Sequence, residues 1–348
     1  MVNRSPAGAR WPVTGTPLRD DMPVTGTLDL LLERAFCREA SDIHIEPYSP
    51  AGYRLRLRVD GLMTAAQGCP VVLAEGLVAR LKVLARLDIF ERRQPQDGQF
   101  SAGGDGPPCS LRLSTLPTLH GEKTVLRLLR CTPERLTLKG LGMPRPLRWR
   151  VLTVLHQPHG LILVTGPTGS GKTLTLYAML NRLRRRPLNI CSVEDPVELP
   201  LAGINQCQVN PGPGWISPVA AGAAASGSGR ADGGRDPRSG NRLRQLGLEA
   251  AQAGPALSLV LAQRLVRQLC PDCRRAPRSE AQRPDAAGYW QAAGCGRCQR
   301  GYAGRRGLFA LLEEDAGDGH GLWRAGMALA QQGITSLAEL RRVLGHPS

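Results

Sequence analysis

The stretch from Gly160 to Thr173, GLILVTGPTGSGKT, constrains the fold of this 348-residue chain more than any other. Its four consecutive apolar residues, 161–164, are typical of a strand that is buried on both faces of a parallel sheet. A glycine-rich loop of the pattern G-x-x-x-x-G-K-[ST] follows, and residues 174–184 then have apolar side chains at helical spacing. The order strand, loop, helix predicts an α/β fold with a phosphate-binding loop. A chance glycine turn is the alternative, and the agreement of motif and context argues against it.

The residue types in this loop suit the phosphates of a nucleotide. Glycines allow backbone N–H groups to point at a phosphate without a Cβ in the way, and the start of the helix adds a positive dipole end. We expect Lys172 to reach the β- and γ-phosphates of ATP and the Thr173 hydroxyl to bind Mg²⁺. The predicted nucleotide-binding residues are Gly166, Pro167, Thr168, Gly169, Ser170, Gly171, Lys172 and Thr173.

Composition limits the class of protein. No stretch approaches the ~20 apolar residues that span a bilayer, and the N-terminus lacks the apolar segment of a secretory signal, so we expect a cytoplasmic protein. The net charge of +16 could indicate nucleic acid or acidic lipid as a partner, but no basic block alternates with aromatic residues. A genome that favours arginine codons explains the charge more simply, and no direct nucleic-acid partner is expected.

Composition and periodicity divide the chain into four parts. Residues 1–24 are rich in Pro, Gly and Thr, which predicts a disordered leader. Residues 25–135 combine alternating, strand-like segments with helical spacing at 28–38 and 77–87, which predicts a small α+β domain with a turn at 94–98. We expect the NTPase core at residues 136–269, ending in a helix at 257–269, and a C-terminal region at residues 270–348.

Two C-x-x-C pairs in the C-terminal region predict a structural zinc site. Cys270 and Cys273 are separated from Cys295 and Cys298 by 21 residues, which fits a tetrathiolate site. A redox role for either pair is disfavoured, because no thioredoxin-like strand and helix surround it. The other six of the ten cysteines are interpreted as ordinary small apolar residues.

Several segments together resemble a known family. SDIHIEP, RLRVDG, ARLKVLARLDIFERRQPQDGQF, HGEKTVLRLL, LAQRLVR and GYAGRRGLF are similar to the GspE/PulE/PilB group of type II secretion and type IV pilus assembly ATPases. The resemblance implies a RecA-like P-loop core that uses ATP, Mg²⁺ and Zn²⁺ and hydrolyses ATP to power pilin or pseudopilin assembly. It also implies a hexameric ring that works on an inner-membrane platform protein, from the cytoplasm or peripherally at that membrane. We expect the family's platform-binding domain to be absent, as in a short, HofB-like member or the product of a truncated gene.

The resemblance also assigns roles to five charged residues. Arg58 and Arg80 lie where the family has arginines that clamp the nucleotide phosphates, and arginines on a solvated face are the alternative. Glu194, Asp195 and Glu198 follow a predicted strand and resemble the family's acidic box, at the edge where open α/β sheets bind ligands. They could order Mg²⁺ or the attacking water, and a solvated turn is the alternative.

The resemblance fails at residues 212–242. The family has a strand there, near LRQDPDVIMVGEIRD, that carries the Walker B acid, and then a loop with a histidine; this chain has an aperiodic tract rich in Ala, Gly, Ser and Arg. The codons allowed for Gly222–Arg242, read one nucleotide later, permit ALLRQDPDVLMVGEIRDPETA. We therefore interpret the tract as a frameshifted copy, and expect weak nucleotide binding at most and no hydrolysis. The alternatives are a non-catalytic subunit, a pseudogene product and a nucleic-acid-binding P-loop protein.

Overall fold

Strands and helices alternate along the chain in the computed structural model, which confirms the predicted α/β class. The structure describes residues 18–19, 21–50, 52–102, 109–129, 136–195, 197–209, 257–277, 288–311 and 320–346. The chain divides into two units, residues 1–130 and 131–348. In the described ranges no helix combines the length and the apolar character that crossing a bilayer requires.

The N-terminal unit is built on a seven-stranded sheet with two helices packed on one face. The strand order is β3-β2-β1-β7-β6-β5, with β4 also paired to β2, and the pairings described are antiparallel. Its elements are α1 (Val24–Cys37), β1 (Ala40–Ser49), β2 (Gly52–Val59), β3 (Leu62–Met63), β4 (Gln67–Cys69), α2 (Val71–Leu84), β5 (Gln96–Ala102), β6 (Cys109–Thr118) and β7 (Gly121–Leu129).

The core of this unit follows from the periodicity of its sequence. Leucines at helical spacing on α1 and α2, such as Leu28 and Leu77, pack against the inward face of the sheet, where Ile43 and Ile45 are almost fully buried. Full burial of such a side chain stabilises the fold by about 1.5–3 kcal/mol. Most of the predicted leader lies outside the described residues, but Leu18 is buried in this core.

The predicted turn at 94–98 is wrong for its second half, because strand β5 begins at Gln96. The Asp97-Gly98 pair is part of that strand and does not form a hairpin turn. A Cβ on Gly98 would lie 2.7 Å from the backbone oxygen of Ala85. The glycine therefore marks a close approach between β5 and the end of α2.

The C-terminal unit holds a three-stranded sheet and a separate two-stranded one. The orders are β12-β11-β8, with β8 parallel and β12 antiparallel to β11, and β10-β9, which is parallel. Its elements are α3 (Arg145–Leu155), β8 (Leu161–Thr165), α4 (Lys172–Leu183), β9 (Cys191–Glu194), β10 (Asn205–Gln208), β11 (Leu257–Leu269), β12 (Tyr302–Leu311), α5 (His320–Gln331) and α6 (Leu337–Leu344). The predicted core and C-terminal region share the larger sheet.

The predicted helix at residues 257–269 is wrong, because the segment is strand β11. Its apolar residues satisfy both periods, and tertiary packing decides between them. The strand is paired on both edges, and side chains on both of its faces are buried: Leu259 and Leu261 pack with α3 and α4, whereas Ala262 and Val266 pack with α5 and α6. Burial on both faces gives a nearly continuous apolar run that can be mistaken for a helix.

A buried carboxylate ties the start of α6 to strand β11. Ser336 caps α6 by accepting a hydrogen bond from the N–H of Glu339, and the Glu339 carboxylate accepts from Arg267 on β11, at 2.7 Å, and from Arg342. Burial alone would raise the pKa of Glu339, but the hydrogen bonds from Arg342 and Arg267 outweigh it and lower that pKa. The fold therefore depends on this group being ionised.

We predict that Glu339→Gln lowers the free energy of unfolding at neutral pH by about 3 kcal/mol, because it leaves two arginines beside an uncharged partner. A carboxyl with a lowered pKa stabilises the fold above its usual pKa, and that stabilisation is lost as the pH falls through the folded value. The difference from the unmodified chain should therefore be constant at neutral pH and shrink below about pH 4.5. Urea titration followed by tryptophan fluorescence measures it. Arg341→Gln, at an exposed neighbour, should change stability by less than ~0.5 kcal/mol, and an equal loss would contradict the assignment.

Candidate functional site

The phosphate loop has the predicted arrangement of strand, loop and helix. Strand β8 ends at Thr165, residues 166–171 form the loop, and α4 begins at Lys172. The Lys172 ammonium donates hydrogen bonds to the backbone oxygens of Gly166, at 2.9 Å, and Pro167, at 3.0 Å. The lysine therefore lies across the loop, and the exposed residues 167–169 form the loop's outer edge.

Two glycines of the loop are required by the space around them. A Cβ on Gly166 would lie 2.4 Å from the backbone oxygen of Gln263, and a Cβ on Gly171 would lie 2.9 Å from the Gln263 side-chain nitrogen. Gly171 also has a φ of +87°, which other residues rarely adopt. The loop is thus pressed directly against strand β11.

Gln263 of β11 holds the loop and the helix together, and the sequence analysis missed it. Its side chain is 1% exposed. The side-chain amide nitrogen donates a hydrogen bond to the backbone oxygen of Ser170 at 2.8 Å, and the side-chain amide oxygen accepts one from the Thr175 hydroxyl at 2.7 Å. Both hydrogen bonds are buried, so neither partner has water as a substitute. The available signal was an amide directly after the four apolar residues 259–262.

The loop fits a phosphate group on chemical grounds. The buried Ser170 hydroxyl has no hydrogen-bond partner among the described residues, although such groups are normally paired. The backbone at the start of α4 has N–H groups without helical partners, and the helix dipole is positive there. A lysine ammonium, free N–H groups and an unpaired hydroxyl are the donors that an anion with several oxygens would accept from.

The acidic residues are found where β9 ends, but their contacts differ from the expectation. Glu194 is the last residue of β9 and is buried; its carboxylate accepts hydrogen bonds from Tyr177, from Ser192 at 2.7 Å and from Gln206 at 2.9 Å. Asp195 is exposed, and the N–H of Glu198 donates to the Tyr177 oxygen at 3.2 Å. Glu194 is therefore held as part of a buried network.

Tyr177 connects this network to the phosphate-loop helix. It lies on α4, five residues after Lys172, and is 2% exposed. Burial, together with the hydrogen bond to Glu194, raises the pKa of the Tyr177 hydroxyl well above its usual range. The tyrosine therefore stays protonated and donates to the carboxylate, which fixes β9 against α4.

The two predicted arginines lie on different layers of the N-terminal unit. Arg58 is on the sheet face that points away from α2, and its Nε is 3.1 Å from Asp42. Arg80 is exposed on α2. Their phosphate-clamping role stays a prediction.

The face that carries Arg58 is a ladder of opposite charges. The acids Asp42 and Glu46 of β1 lie across from arginines of β2, and the Glu46 carboxylate is 2.5 Å from Arg56. Burial would raise the pKa of Glu46, but hydrogen bonds from Arg56 and Lys123 lower it. Arg58 is therefore held on the sheet by Asp42, with 38% of its side chain exposed.

The four zinc-site cysteines come together at the end of the β11–β12 ladder. The pair at 270 and 273 directly follows β11, the pair at 295 and 298 precedes β12, and all four sulfurs lie within 4.8 Å of one another. Cys270 is 3.9 Å from Cys295, and Cys273 is 3.6 Å from Cys298. Tetrahedral zinc with Zn–S bonds near 2.3 Å needs sulfurs about 3.8 Å apart, so the cluster is compatible with zinc.

The interpretation of the remaining cysteines as small apolar residues is wrong for three of them. Cys37 and Cys207 are exposed, and the sulfurs of Cys191 and Cys207 lie 3.7 Å apart across the β9–β10 pair. Cys69 and Cys109 are buried, as expected of small apolar residues. Cys131 lies outside the described residues.

Comparison with known sequences matches the whole arrangement to one family. The profile of the family described as type II/IV secretion system protein matches residues 17–216 and 238–341. The protein transport protein HofB homolog of Escherichia coli K12 is 39% identical, over 93% of this chain and 82% of that protein. The type II secretion system protein E of Dickeya dadantii is 39% identical over 84% of this chain, which spans 66% of that protein. The type IV pilus assembly ATPase PilB of Pseudomonas aeruginosa is 34% identical, over 93% of this chain and 68% of that protein.

Solved structures give the same fold at low sequence identity. The pilus retraction motor PilT, a structure with bound ADP, has a TM-score of 0.52 at 18% identity, over 92% of this chain and 97% of that one. The Legionella pneumophila ATPase DotB has a TM-score of 0.53 at 15% identity, with the same coverage. The resemblance to the GspE/PulE/PilB group is confirmed by these matches. The frameshift interpretation stays a prediction, since residues 212–242 lie outside the described ranges.

We predict that the purified chain holds one zinc ion, because four thiolates at these separations form a closed tetrahedral site. Native mass spectrometry should show the metal in the unmodified chain and its loss in Cys298→Ser. Cys37→Ser, which changes an exposed cysteine outside the cluster, should keep the metal. A metal-free chain that melts at the same temperature as the zinc-loaded chain would contradict a structural site.

A second prediction concerns Gln263. Gln263→Leu keeps the size of the side chain but leaves the buried Ser170 carbonyl without this donor, at a cost of about 1–3 kcal/mol. It also leaves the Thr175 hydroxyl with only its longer hydrogen bond to the Gly171 oxygen, at 3.3 Å. Hydrogen exchange at residues 166–171 should become faster, and the affinity for a fluorescent ATP analogue with Mg²⁺ should fall about tenfold. The matched control is Gln268→Leu, farther along the same strand, where Gln268 donates only to the exposed Arg305 oxygen. Equal effects of the two variants would show that Gln263 has no special role.

Proposed function

Because the chain belongs to the type II/IV secretion system protein family, we propose that it binds ATP and Mg²⁺ at Gly166–Thr173 as part of a secretion or pilus assembly machine. Relatives include a protein transport protein and a pilus assembly ATPase, and the PilT structure of the same fold holds ADP. The observation that carries the proposal is the phosphate loop itself. It is pressed against β11 by Gln263 and crossed by the Lys172 ammonium.

In the proposed complex, hydrogen bonds within the loop are replaced by hydrogen bonds to the phosphates. The Lys172 ammonium would give up two backbone oxygens for the β- and γ-phosphates, and hydrogen bonds to a charged group contribute about 1.5–3 kcal/mol each. The Ser170 hydroxyl and the N–H groups at the start of α4 supply further donors. Thr173 is positioned on the first turn of α4 to hold Mg²⁺, which neutralises charge on the phosphates.

We further propose that this copy does not turn over ATP at an enzymatic rate. The Glu194 carboxylate accepts three protein hydrogen bonds and has about four acceptor sites, so little of its capacity is left to position a water. Asp195 and Glu198 are the remaining acids of the box and the better candidates to meet the water shell of Mg²⁺. The sequence of residues 212–242 contains no apolar run with a carboxylate that would supply a Walker B strand.

The location, the assembly partners and the role of two arginines are inferred from the family and are part of the same proposal. We place the chain in the cytoplasm, peripheral to the inner membrane, where it would join a hexameric ring and act on a platform protein. Arg58 and Arg80 would clamp phosphate from the N-terminal unit. Arg58 could leave Asp42 for a phosphate because the buried carboxylate would keep Arg127, at 3.3 Å, and the Ser41 hydroxyl, at 2.8 Å.

The test measures binding and turnover separately on the full chain. A fluorescent ATP analogue with Mg²⁺ should bind, and Lys172→Ala should weaken binding at least tenfold because the loop loses its cation. Lys139→Ala, an exposed lysine outside the loop, is the matched control and should bind as the unmodified chain does. Phosphate release should stay far below the ~1 s⁻¹ typical of enzymes. Binding that survives Lys172→Ala, or turnover near ~1 s⁻¹, would overturn the respective half of the proposal.

The structure of the N-terminal unit favours a role for the chain as a non-catalytic subunit of a ring. That unit has a complete antiparallel sheet with its own core and its own charged face, so it can serve in a ring without hydrolysis by this chain. Co-purification of the chain with an intact relative, in amounts below one copy per ring position, is the expected result. Absence of any complex would favour the product of a decayed gene.

A further inference from the structure

A groove between helices α3 and α4 is lined by cations that pair with no carboxylate in the described ranges. Its volume is about 390 Å³, within the range of ligand-binding clefts, and all its lining residues lie between 136 and 185. We call it the α3–α4 groove. It is formed on one side by the 136–139 segment, which Asn181 of α4 fixes by donating a hydrogen bond to the Leu136 oxygen at 3.0 Å.

The rim of the groove consists of cations, and its floor is apolar. The cations are Lys139, Arg145, Arg148, Arg182 and Arg185, and Leu138, Leu152 and Ala178 lie below them. None of the five forms an ion pair with a described carboxylate. The sequence has no Asp or Glu between Glu134 and Glu194, so α3 and α4 offer no acid of their own.

One aromatic side chain completes the rim. Trp149 lines the groove and is 69% exposed, whereas large apolar side chains are usually covered. Exposed tryptophan and arginine beside an apolar cleft are the residue types that dominate binding energy at protein interfaces. Five cations at the rim of a groove are also costly to leave unpaired, because like charges repel.

We propose that the α3–α4 groove binds an acidic amphipathic helix of a partner protein. A cleft between two helices accepts an apolar stripe of side chains, and the surrounding arginines accept the carboxylates that flank such a stripe. The apolar floor distinguishes this occupant from nucleic acid, which needs an extended path of phosphate contacts and stacking platforms. It also distinguishes it from a lipid surface, which would meet a convex patch and not a concave one.

The test uses synthetic helical peptides of about 18 residues, roughly 27 Å long. One carries leucines on a helical stripe and glutamates elsewhere; a second replaces the leucines by serine, and a third replaces the glutamates by lysine. The readout is the fluorescence of the full chain, corrected by the signal of Trp149→Phe because the chain has five tryptophans. Only the leucine-glutamate peptide should change the Trp149 signal at micromolar concentration.

Two variants test the cations. Arg148→Glu together with Arg182→Glu reverses one charge on each helix of the groove. This double variant should bind the leucine-glutamate peptide at least tenfold more weakly. Arg186→Glu is the matched control, because Arg186 is exposed just beyond α4 and does not line the groove; it should weaken binding less than about twofold. Unchanged binding of the fluorescent ATP analogue in both variants shows that the fold is intact.

Three results would overturn the proposal. Equal binding of the serine-glutamate peptide would show that the apolar floor does not contribute to binding. Stronger competition by duplex DNA or by phosphatidylglycerol vesicles would assign the surface to another class of ligand. A Trp149 signal that changes with protein concentration alone, together with dimers in sedimentation, would assign the groove to a second copy of this chain.

Discussion

Strand β11 is the element on which the C-terminal unit depends. Its parallel pairing with β8 sets the position of the phosphate loop, and Gln263 on its inward face joins that loop to helix α4. Farther along, Arg267 binds the buried Glu339 of α6, and the strand ends directly at the first zinc-site cysteine. A single strand thus supports the loop, the C-terminal helices and the cysteine cluster, so strain at one of them is transmitted to the others through a rigid ladder.

Three buried carboxylates in the two units are each surrounded by several donors. Glu339 has two arginines, Glu46 has arginines and a lysine, and Glu194 has a tyrosine, a serine and an amide. These donors offset the desolvation cost of burying a charge. The cations of the α3–α4 groove have no such partners in the described chain, which sets that surface apart from the rest of the molecule.

The parts of the site that depend on local sequence could be predicted, and the parts that depend on tertiary contacts could not. The phosphate loop and the two cysteine knuckles are local motifs with fixed spacing, and the structure has the strand-loop-helix and the four-sulfur cluster as expected. Strand β11 was assigned as a helix because its burial on both faces erases the period of two. Gln263 was missed for the same reason. The network around Glu194 joins residues from α4, β9 and β10, and no spacing in the sequence reveals it.

The sheet itself bears on hydrolysis. Among the described residues, β8 is paired on one edge only, and β9 pairs with β10 in a separate sheet. Backbone groups along a strand need hydrogen-bond partners, and among the described residues the Tyr177 hydroxyl ties β9 to α4, the helix that follows the phosphate loop. In chain order the residues that could supply strands between β8 and β9 are those between β10 and β11, where this sequence departs from its family. The sequence of residues 212–242 has few β-branched residues, whereas aiming a carboxylate at a phosphate requires a rigid element. The proposed loss of hydrolysis is compatible with an intact phosphate loop, because the described contacts that hold the loop come from β8, β11 and α4.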